Sequence, residues 1–445
     1  MYSDVVVIGG GPAGVVTATT AKRYYPEKSV TLVRKNEIAL IPCGIPYMYG
    51  TLRDVGKNAM ADEPLKKAGI NIVIGEVKTI DLEKKLCIFA DGNTIEYNKL
   101  VLATGSLPVV PRSIKGTELN GVYTVQKDAE YHKRLMEDIE RAEKVVIVGG
   151  GFIGVEFADE ISKLGKKVTI VELLPHCLMA AFDDEFCVKA EEKLKERGIE
   201  IVTGVSVERI EGDGKAEDVK LSDGREISAD VVIVSIGARP NSDIAKEAGL
   251  AIGQRGGIIV DEYMRTSNSD VFAVGDCAEK RDFFTRKISP IMLASTATAE
   301  ARIAGSNLFR LEIVREYAGT IGVFSTCIGN LALANVGLTE SQAKREGFEI
   351  VVGRATAIDR HPGSIPDATK IEVKLVVSKC GIVLGGQLCG GKSVGELINM
   401  LGMAVENKMT LTEIMTLQIG THPLLTPAPT IYPVIMAAQD ALSKL

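Results

Sequence analysis

A single cysteine in the segment 41–47, Ile-Pro-Cys-Gly-Ile-Pro-Tyr, is the side chain of this sequence best suited to redox chemistry. No second cysteine lies within five residues of Cys43, so the segment is neither a CxxC nor a CxxxxC dithiol. Cys43 is therefore either a solitary redox nucleophile or a packed apolar residue. The eight cysteines are scattered, and none forms a Cys/His cluster with zinc spacing, so we expect separate thiols and no metal site.

The prolines around Cys43 indicate how its thiol would be activated. We expect Cys43 to open a helix, because Pro46 is tolerated in a first helical turn. A helix N-terminus lowers a thiol pKa and favours the thiolate. Such a thiolate attacks an S–S bond, releases one thiol, and becomes a mixed disulfide or a persulfide.

A glycine motif precedes the cysteine segment and predicts a nucleotide site. The apolar strand 5–8 leads into G-x-G-x-x-G at Gly9, Gly11 and Gly14. These glycines allow a tight turn and a close approach of the backbone to a pyrophosphate at the next helix N-terminus. At the next strand end, Arg34 stands where a ribose-binding acid is usual.

The same pattern returns later in the chain. Strand 144–148 leads into G-x-G-x-x-G at Gly149, Gly151 and Gly154, and the following strand ends in Glu172. A carboxylate there accepts both ribose hydroxyls of NAD and repels the 2′-phosphate of NADP, which favours NADH and leaves NADPH open. Two such units predict one tightly bound flavin and one exchanging nicotinamide.

Other features complete the organisation of the chain. At 445 residues it is long enough for two to four domains, and its net charge of −6 gives no sign of nucleic acid. No apolar run has the length of a membrane span and no signal peptide is evident, so a cytoplasmic protein is expected. Asp276 follows Gly275 after an apolar strand; it can bond a cofactor hydroxyl, cap the following helix, or do both. Helical patterns cover 289–310 and 394–407.

These motifs together resemble a known family. The paired glycine motifs, the Ala103-Thr104-Gly105 loop and the Gly275–Asp276 strand end look like the FAD-dependent pyridine nucleotide-disulfide oxidoreductases. The segment Cys43–Tyr47 resembles its single-cysteine branch, which holds coenzyme A-disulfide reductases, NADH oxidases and peroxidases, and persulfide or sulfur reductases. The resemblance covers nearly the whole chain.

The resemblance implies an α/β fold with two Rossmann-like dinucleotide-binding domains and a C-terminal α+β dimerisation domain. Residues 1–112 and 241–316 would bind FAD, 113–240 NAD(P)H, and 317–445 would form the homodimer interface. The expected FAD residues are Gly9, Gly11, Pro12, Ala13, Gly14, Arg34, Val77, Ala103, Thr104, Gly105, Gly275 and Asp276. The expected NADH residues are Gly149, Gly151, Phe152, Ile153, Gly154, Glu156, Glu172 and Gly237, with Phe152 matching the aromatic that gates the nicotinamide position.

Departures from the family pattern narrow the chemistry. The first glycine loop carries Pro12 and Ala13 without the His of oxidases and peroxidases, which argues against a water-forming oxidase or a peroxidase. His361-Pro362-Gly363 stands where coenzyme A-disulfide reductases carry a Tyr, and Thr421-His422-Pro423 resembles the His-Pro of the two-cysteine glutathione-reductase branch. The candidates for the acid that protonates the leaving thiol are, in order, His422, His361 and Tyr432.

The sequence therefore predicts an NAD(P)H-dependent flavoprotein that reduces persulfide, polysulfide or coenzyme A disulfide through Cys43. Coenzyme A itself stays an open choice of ligand. One alternative is an NADH oxidase that makes hydrogen peroxide, since reduced flavin reacts with oxygen. Another is a redox-responsive binding protein whose turnover is incidental.

Overall fold

The computed structural model describes residues 1–314 and 319–445. Its strands are β1 (Tyr2–Ile8), β2 (Val30–Arg34), β3 (Asn71–Ile74), β4 (Val77–Asp81), β5 (Leu86–Phe89), β6 (Thr94–Leu102), β7 (Ser106–Pro108), β8 (Val122–Thr124), β9 (Lys144–Val148), β10 (Lys167–Glu172), β11 (Glu200–Thr203), β12 (Val207–Glu211), β13 (Asp218–Leu221), β14 (Glu226–Ser228), β15 (Val231–Val234), β16 (Ala238–Pro240), β17 (Val271–Ala273), β18 (Lys280–Arg281), β19 (Ile288–Ser289), β20 (Val323–Ile328), β21 (Leu331–Gly337), β22 (Ile350–Ile358), β23 (Lys370–Ser378) and β24 (Val383–Gly390). Its helices are α1 (Pro12–Tyr24), α2 (Glu63–Lys67), α3 (Ala129–Arg141), α4 (Phe152–Ser162), α5 (Asp184–Glu196), α6 (Asp243–Glu247), α7 (Ala294–Ser306), α8 (Glu340–Arg345), α9 (Val394–Glu406), α10 (Leu411–Met415) and α11 (Pro433–Leu442).

The chain divides into two compact units. Unit 1 comprises Met1–Pro111, Thr124–Arg141 and Ile236–Thr320, and unit 2 comprises Arg112–Tyr123, Ala142–Ser235 and Ile321–Leu445. The structure leaves residues 315–318 undescribed, so the predicted domain boundary at 316/317 lies outside the described residues.

Unit 1 is built on a doubly wound sheet. The order is β3-β2-β1-β6-β5-β4, with β17 also paired to β6; β1, β2, β3, β6 and β17 are parallel to their neighbours, whereas β4-β5-β6 are antiparallel. Strand β2 is buried over its whole length, as expected for a parallel strand covered on both faces. One core cluster includes α1 and α7 residues, and a second includes residues of β5 and α6, so apolar layers form on both sides of the sheet.

Unit 2 contains two larger sheets. The first is parallel through β11-β10-β9-β15 and carries β8 at its edge, the same winding as in unit 1. The second is the antiparallel sheet β20-β21-β24-β23-β22, whose strand β24 is buried at every position. This second sheet and α9 to α11 form the expected α+β segment.

The predicted α/β fold class is confirmed, with two parallel nucleotide-type sheets and one C-terminal α+β layer. The expected helices at 289–310 and 394–407 are α7 and α9, observed at Ala294–Ser306 and Val394–Glu406. Among the described residues, no helix is long and apolar enough to cross a membrane.

Candidate active site and dinucleotide sites

Cys43 lies in unit 1, on a pair of single 3-10 turns that follow β2. The first turn spans Pro42–Gly44 and the second Pro46–Met48. The Cys43 side chain is exposed, whereas Ile45 and Met48 are buried and hold the segment to the body of the unit. The helix expected to open at Cys43 is therefore wrong: Pro42 and Pro46 start two separate 3-10 turns, and neither continues as a regular helix.

Asn58 anchors the turn that carries the cysteine. The backbone N–H of Ile41 donates to the Asn58 carbonyl over 3.0 Å, and Asn58 Nδ2 donates to the Ile41 carbonyl over 3.0 Å. A Cβ on Gly44 would lie 1.9 Å from Asn58 Oδ1, so only glycine fits beside this amide. Sequence reasoning missed Asn58, since no local pattern signals a buried amide that closes a loop on residues far back in the chain.

A second anchor is a buried tyrosine–histidine pair behind the turn. Tyr49 Oη lies 2.6 Å from His132 Nδ1, and His132 Nε2 lies 2.5 Å from the Gln126 carbonyl. A carbonyl only accepts, so Nε2 carries the proton and Nδ1 accepts the tyrosine hydroxyl. Burial lowers the pKa of His132, which keeps this neutral arrangement. The pair ties α3 to the cysteine segment, and sequence reasoning missed it as well.

The first glycine loop has the geometry of a phosphate cradle. Gly9 has a φ of +125°, and a Cβ there would lie 2.0 Å from the Ala103 carbonyl oxygen. A Cβ on Gly14 would lie 1.8 Å from the Gly9 oxygen, whereas Gly11 faces open space at the start of α1. The N-terminal amides of α1 have no side-chain cap, so they are available to a pyrophosphate.

The other predicted FAD residues of unit 1 surround this loop. A Cβ on Gly275 would lie 3.0 Å from Ala13 Cβ, so the turn that carries Asp276 adjoins the start of α1. Arg34, at the end of β2, packs its aliphatic stem on Gly10. Val77 begins β4 and packs against the core of the same sheet. The structure thus brings these residues to the loop edge of one sheet.

Asp276 ends a strand and faces two polar side chains. Its Oδ2 accepts from Ser106 Oγ at 2.7 Å and lies 3.4 Å from Lys127 Nζ. The N-cap position of the next helix, α7, is Leu293, so Asp276 does not cap it. Of the two alternatives raised by the sequence, the cap is therefore excluded, and the carboxylate stays a candidate partner for a cofactor hydroxyl.

The Ala103-Thr104-Gly105 loop is held by a residue that sequence reasoning missed. Thr104 Oγ1 donates to the Asn241 carbonyl over 2.5 Å, and the Asn241 N–H donates to the Gly105 carbonyl over 2.9 Å. Asn241 Nδ2 also donates to the Thr104 carbonyl at 3.2 Å. Two chain segments of unit 1 that are remote in sequence are thereby fixed together beside Gly9.

The second glycine loop, in unit 2, repeats the cradle. Gly149 has a φ of +106°, and a Cβ on Gly154 would lie 1.9 Å from the Gly149 oxygen, while Gly151 faces open space. The carboxylate of Glu172 accepts the Gly150 N–H at 2.5 Å and the Leu174 N–H at 2.7 Å. These two bonds hold the carboxylate at the loop, and its remaining lone pairs are suited to ribose hydroxyls.

Helix α4 carries the remaining unit 2 candidates. The Phe152 ring stacks on Phe324 with centroids 5.3 Å apart, and Ile153 is exposed. Glu156 accepts from Thr326 Oγ1 at 2.9 Å, and burial raises the pKa of its carboxyl to about 7. Glu156 can therefore exchange a proton near neutral pH. Gly237 belongs to unit 1, where it is exposed with a φ of +113°.

The C-terminal candidates all lie in unit 2, where the loops of the two histidines contact each other. The His361 N–H donates to the Pro423 carbonyl at 3.2 Å, and His361 Nδ1 lies 3.0 Å from the Thr426 carbonyl. His422 is exposed in the loop that also holds Pro423 and Thr426, with its Nδ1 accepting the Leu424 N–H at 3.2 Å. Tyr432, by contrast, is only 9% exposed, and burial raises its pKa.

Comparison with known proteins decides the family. Residues 3–301 match the family model described as pyridine nucleotide-disulphide oxidoreductase, and residues 323–431 match that family's dimerisation domain. The chain belongs to the pyridine nucleotide-disulphide oxidoreductase family. The predicted family is thus confirmed, and FAD and NAD(P)H are its cofactors.

Several relatives extend over almost the whole chain. An NADH oxidase of Methanocaldococcus jannaschii is 33% identical over 452 residues, covering 99% of each chain. An NAD(P)H coenzyme A polysulfide/persulfide reductase of Pyrococcus horikoshii is 34% identical and covers 88% of each chain. Among solved structures, an NAD-dependent persulfide reductase from A. fulgidus matches with a TM-score of 0.92 and 33% identity, covering all of this chain and 83% of that one.

The two cradles fit the two dinucleotides. In each loop the middle glycine of the motif, Gly11 or Gly151, leaves open the space that a Cβ would occupy beside a helix N-terminus. Unit 1 adds Asp276 and the Ala103–Gly105 loop, and unit 2 adds Glu172. The donor sets therefore suit FAD in unit 1 and NAD(P)H in unit 2.

Proposed function

We propose that this protein is an NAD(P)H-dependent reductase of persulfide, polysulfide or coenzyme A disulfide, with Cys43 as its single redox cysteine. The observation that carries the proposal is the exposed, doubly anchored position of Cys43. Five other cysteines are buried, and burial raises the pKa of each thiol, to about 12 for Cys87 and Cys187 and about 11 for Cys389. The remaining two of this set are Cys177 and Cys277. A thiol held in its protonated form by burial is a poor nucleophile.

The chemistry at Cys43 follows from the demands of disulfide exchange. Its thiolate attacks one sulfur of the substrate, so that a Cys43–sulfur bond forms while the S–S bond breaks. The departing thiolate takes a proton, and a mixed disulfide or persulfide stays on Cys43. FAD, when bound, would supply the two electrons from NAD(P)H that break the Cys43–sulfur bond, so that the second sulfur leaves as a thiolate or hydrosulfide and Cys43 returns to its thiolate. The resolving cysteine of a dithiol is therefore not required.

We propose His422 as the proton donor to the leaving thiolate. Its side chain is exposed, so the imidazolium form can reach the leaving thiolate, donate a proton and return to the neutral imidazole. His361 is half-buried, with its Nδ1 3.0 Å from the Thr426 carbonyl. Tyr432 is largely buried. His361 and Tyr432 therefore rank behind His422.

The proposal includes assembly and location. Residues 1–112 and 241–316 form the FAD-binding domain, 113–240 the NAD(P)H-binding domain and 317–445 the interface of a homodimer, supported by the dimerisation-domain match. Glu172 favours NADH over NADPH. The unpaired buried thiols Cys87, Cys187 and Cys389 suit a reducing compartment, which supports the cytoplasm.

The test is anaerobic NADH oxidation with coenzyme A persulfide, polysulfide or coenzyme A disulfide as acceptor. We expect Cys43→Ser to lower turnover at least about 1000-fold, because a serine hydroxyl cannot attack sulfur at neutral pH. Cys380→Ser is the matched control, since Cys380 is also exposed but lies in the turn between β23 and β24. Turnover by Cys43→Ser at the wild-type rate would overturn the proposal.

A second candidate is an NADH oxidase that reduces oxygen to hydrogen peroxide. It is supported by the Methanocaldococcus jannaschii relative of that name, which matches over 99% of both chains. Oxygen turnover that exceeds turnover of every sulfur acceptor would favour this activity. Oxygen turnover far below the persulfide rate would reject it.

A further inference from the structure

The first glycine loop lacks an acid at the position where its motif calls for one. Strand β2 ends at Arg34, where a ribose-binding Asp or Glu is usual in this type of site. An arginine offers only donors, whereas ribose hydroxyls are best held by an acceptor that takes both of their protons. The position therefore needs an acceptor from elsewhere in the chain.

The structure places a carboxylate on that arginine. Arg34 Nη1 lies 2.6 Å from Asp62 Oδ1, and Arg34 Nη2 lies 2.8 Å from Asp62 Oδ2. Nη2 also donates to the Glu37 carbonyl at 2.6 Å, which fixes the guanidinium further. The fork-to-fork pairing sets both the position and the plane of the carboxylate.

Arg34 itself is built into the loop. Its side chain is 8% exposed, and a Cβ on Gly10 would lie 2.8 Å from both Arg34 Cβ and Cδ. Its buried Nε finds no hydrogen-bond partner within the described part of the chain. A buried donor that has no acceptor in the protein indicates that a bound ligand supplies the acceptor.

The Asp62 carboxylate has enough free lone pairs to accept hydrogen bonds from two neighbouring hydroxyls. Its hydrogen bonds to Arg34 lower the pKa of the carboxyl, so it is ionised and accepts only. Each oxygen takes one N–H from Arg34 and keeps a further lone pair. Its side chain is 28% exposed, so a ligand can reach it.

We propose that Asp62, positioned by Arg34, accepts the hydroxyls of the adenosine ribose of FAD and replaces the missing strand-end acid. Asp62 lies ahead of α2, well beyond β2 in sequence, and meets the strand end through the Arg34 side chain. Arg34 is then a positioning residue for Asp62, and its Nε is left to donate to a hydroxyl oxygen of the same ribose.

The test measures FAD affinity of the full-length chain, freed of flavin and titrated by quenching of flavin fluorescence. Each protein is titrated with FAD and with an analogue that lacks the 2′- and 3′-hydroxyls of the adenosine ribose. We expect Asp62→Asn to bind FAD about 10- to 100-fold more weakly, the range for a lost hydrogen bond to a charged group. We expect wild type and Asp62→Asn to bind the dideoxy analogue almost equally.

Matched variants separate ribose binding from structural support. Glu76→Gln removes another carboxylate that pairs with a basic residue at this strand end, Lys35 at 3.2 Å, and should leave FAD affinity unchanged. Arg34→Lys keeps the charge but not the fork, so we expect a smaller loss, again confined to FAD with its ribose hydroxyls.

Equal losses for FAD and the dideoxy analogue would overturn the proposal, because Asp62 would then act only on the protein. Unchanged FAD affinity in Asp62→Asn would overturn it too. Neither outcome bears on the sulfur chemistry proposed for Cys43, because that proposal is tested by turnover of sulfur acceptors and not by FAD affinity.

Discussion

The two glycine loops, Gly9–Gly14 and Gly149–Gly154, have the same motif. In both, close contact between two parts of the backbone leaves no room for a side chain on the last glycine. A Cβ on the last glycine of either motif would lie less than 2 Å from the oxygen of the first, at 1.8 Å in unit 1 and 1.9 Å in unit 2. Both middle glycines face open space at a helix N-terminus. The pyrophosphate cradle is thus a local property of the motif, repeated wherever the strand–turn–helix recurs.

The two loops differ in what completes them. In unit 2, Glu172 at the strand end bonds directly to the loop N–H of Gly150. In unit 1, Arg34 occupies the corresponding position and pairs with Asp62, which comes from a distant segment of the chain. On the helices, half-buried Glu156 of α4 corresponds to Val16 of α1. The two sites therefore share the glycine motif that binds the pyrophosphate. They differ in the side chains beside the ribose and along the following helix.

The largest expected effect comes from breaking the shared cradle. Gly154→Ala forces its Cβ onto the Gly149 oxygen, so we expect the KM for NADH to rise more than about 100-fold while FAD content is kept. Gly14→Ala should instead yield protein that has lost FAD. Flavin content by absorbance and steady-state kinetics check both. Gly395→Ala in α9, where a Cβ meets no atom within 4 Å, should change neither quantity.

An intermediate effect is expected from Glu156, which has no acidic counterpart in unit 1. Its pKa is raised from 4.5 to about 7, so folding favours the protonated form and the wild type loses stability as pH rises through this range. Glu156→Gln removes that loss, which is up to about 3 kcal/mol at 1.36 kcal/mol per pKa unit.

Thermal unfolding without NAD(P)H tests the Glu156 effect. The Tm advantage of Glu156→Gln over wild type should grow from about pH 4.5 to 7 and then level off. Glu192→Gln, on the exposed face of α5, is the control and should follow wild type at every pH. A constant Tm difference across this range would contradict a titrating Glu156.

The smallest effect is expected from the strand-end acid of unit 2. Glu172→Gln loses a charged acceptor, so we expect the KM for NADH to rise about 10-fold and the preference over NADPH to fall. FAD content should not change, which contrasts with Asp62→Asn in unit 1. Glu200→Gln at the opposite end of neighbouring β11 should leave NADH kinetics intact. An unchanged KM for NADH in Glu172→Gln would show that Glu172 does not hold the ribose of NADH. The two loops would then bind ribose in different ways.

Much of this organisation was predictable from the sequence because it depends on short-range patterns. Buried parallel strands read as apolar runs, and α9 was expected at 394–407 and is observed at Val394–Glu406. The helix expected at Cys43 was wrong, since the flanking prolines favour two separate 3-10 turns there. Periodicity carries no information about such short, proline-bounded turns.

The sequence by itself determined the two glycine cradles, the fold class, the family and the solitary cysteine. These follow from backbone sterics and residue types over a few consecutive positions. Only the tertiary structure decided that Asn58 and His132 anchor the cysteine segment, that the loop of His361 contacts the loop of His422, and that Asp62 meets Arg34. Those contacts join residues far apart in the chain, and a buried polar group takes its partner from whichever segment the fold brings beside it.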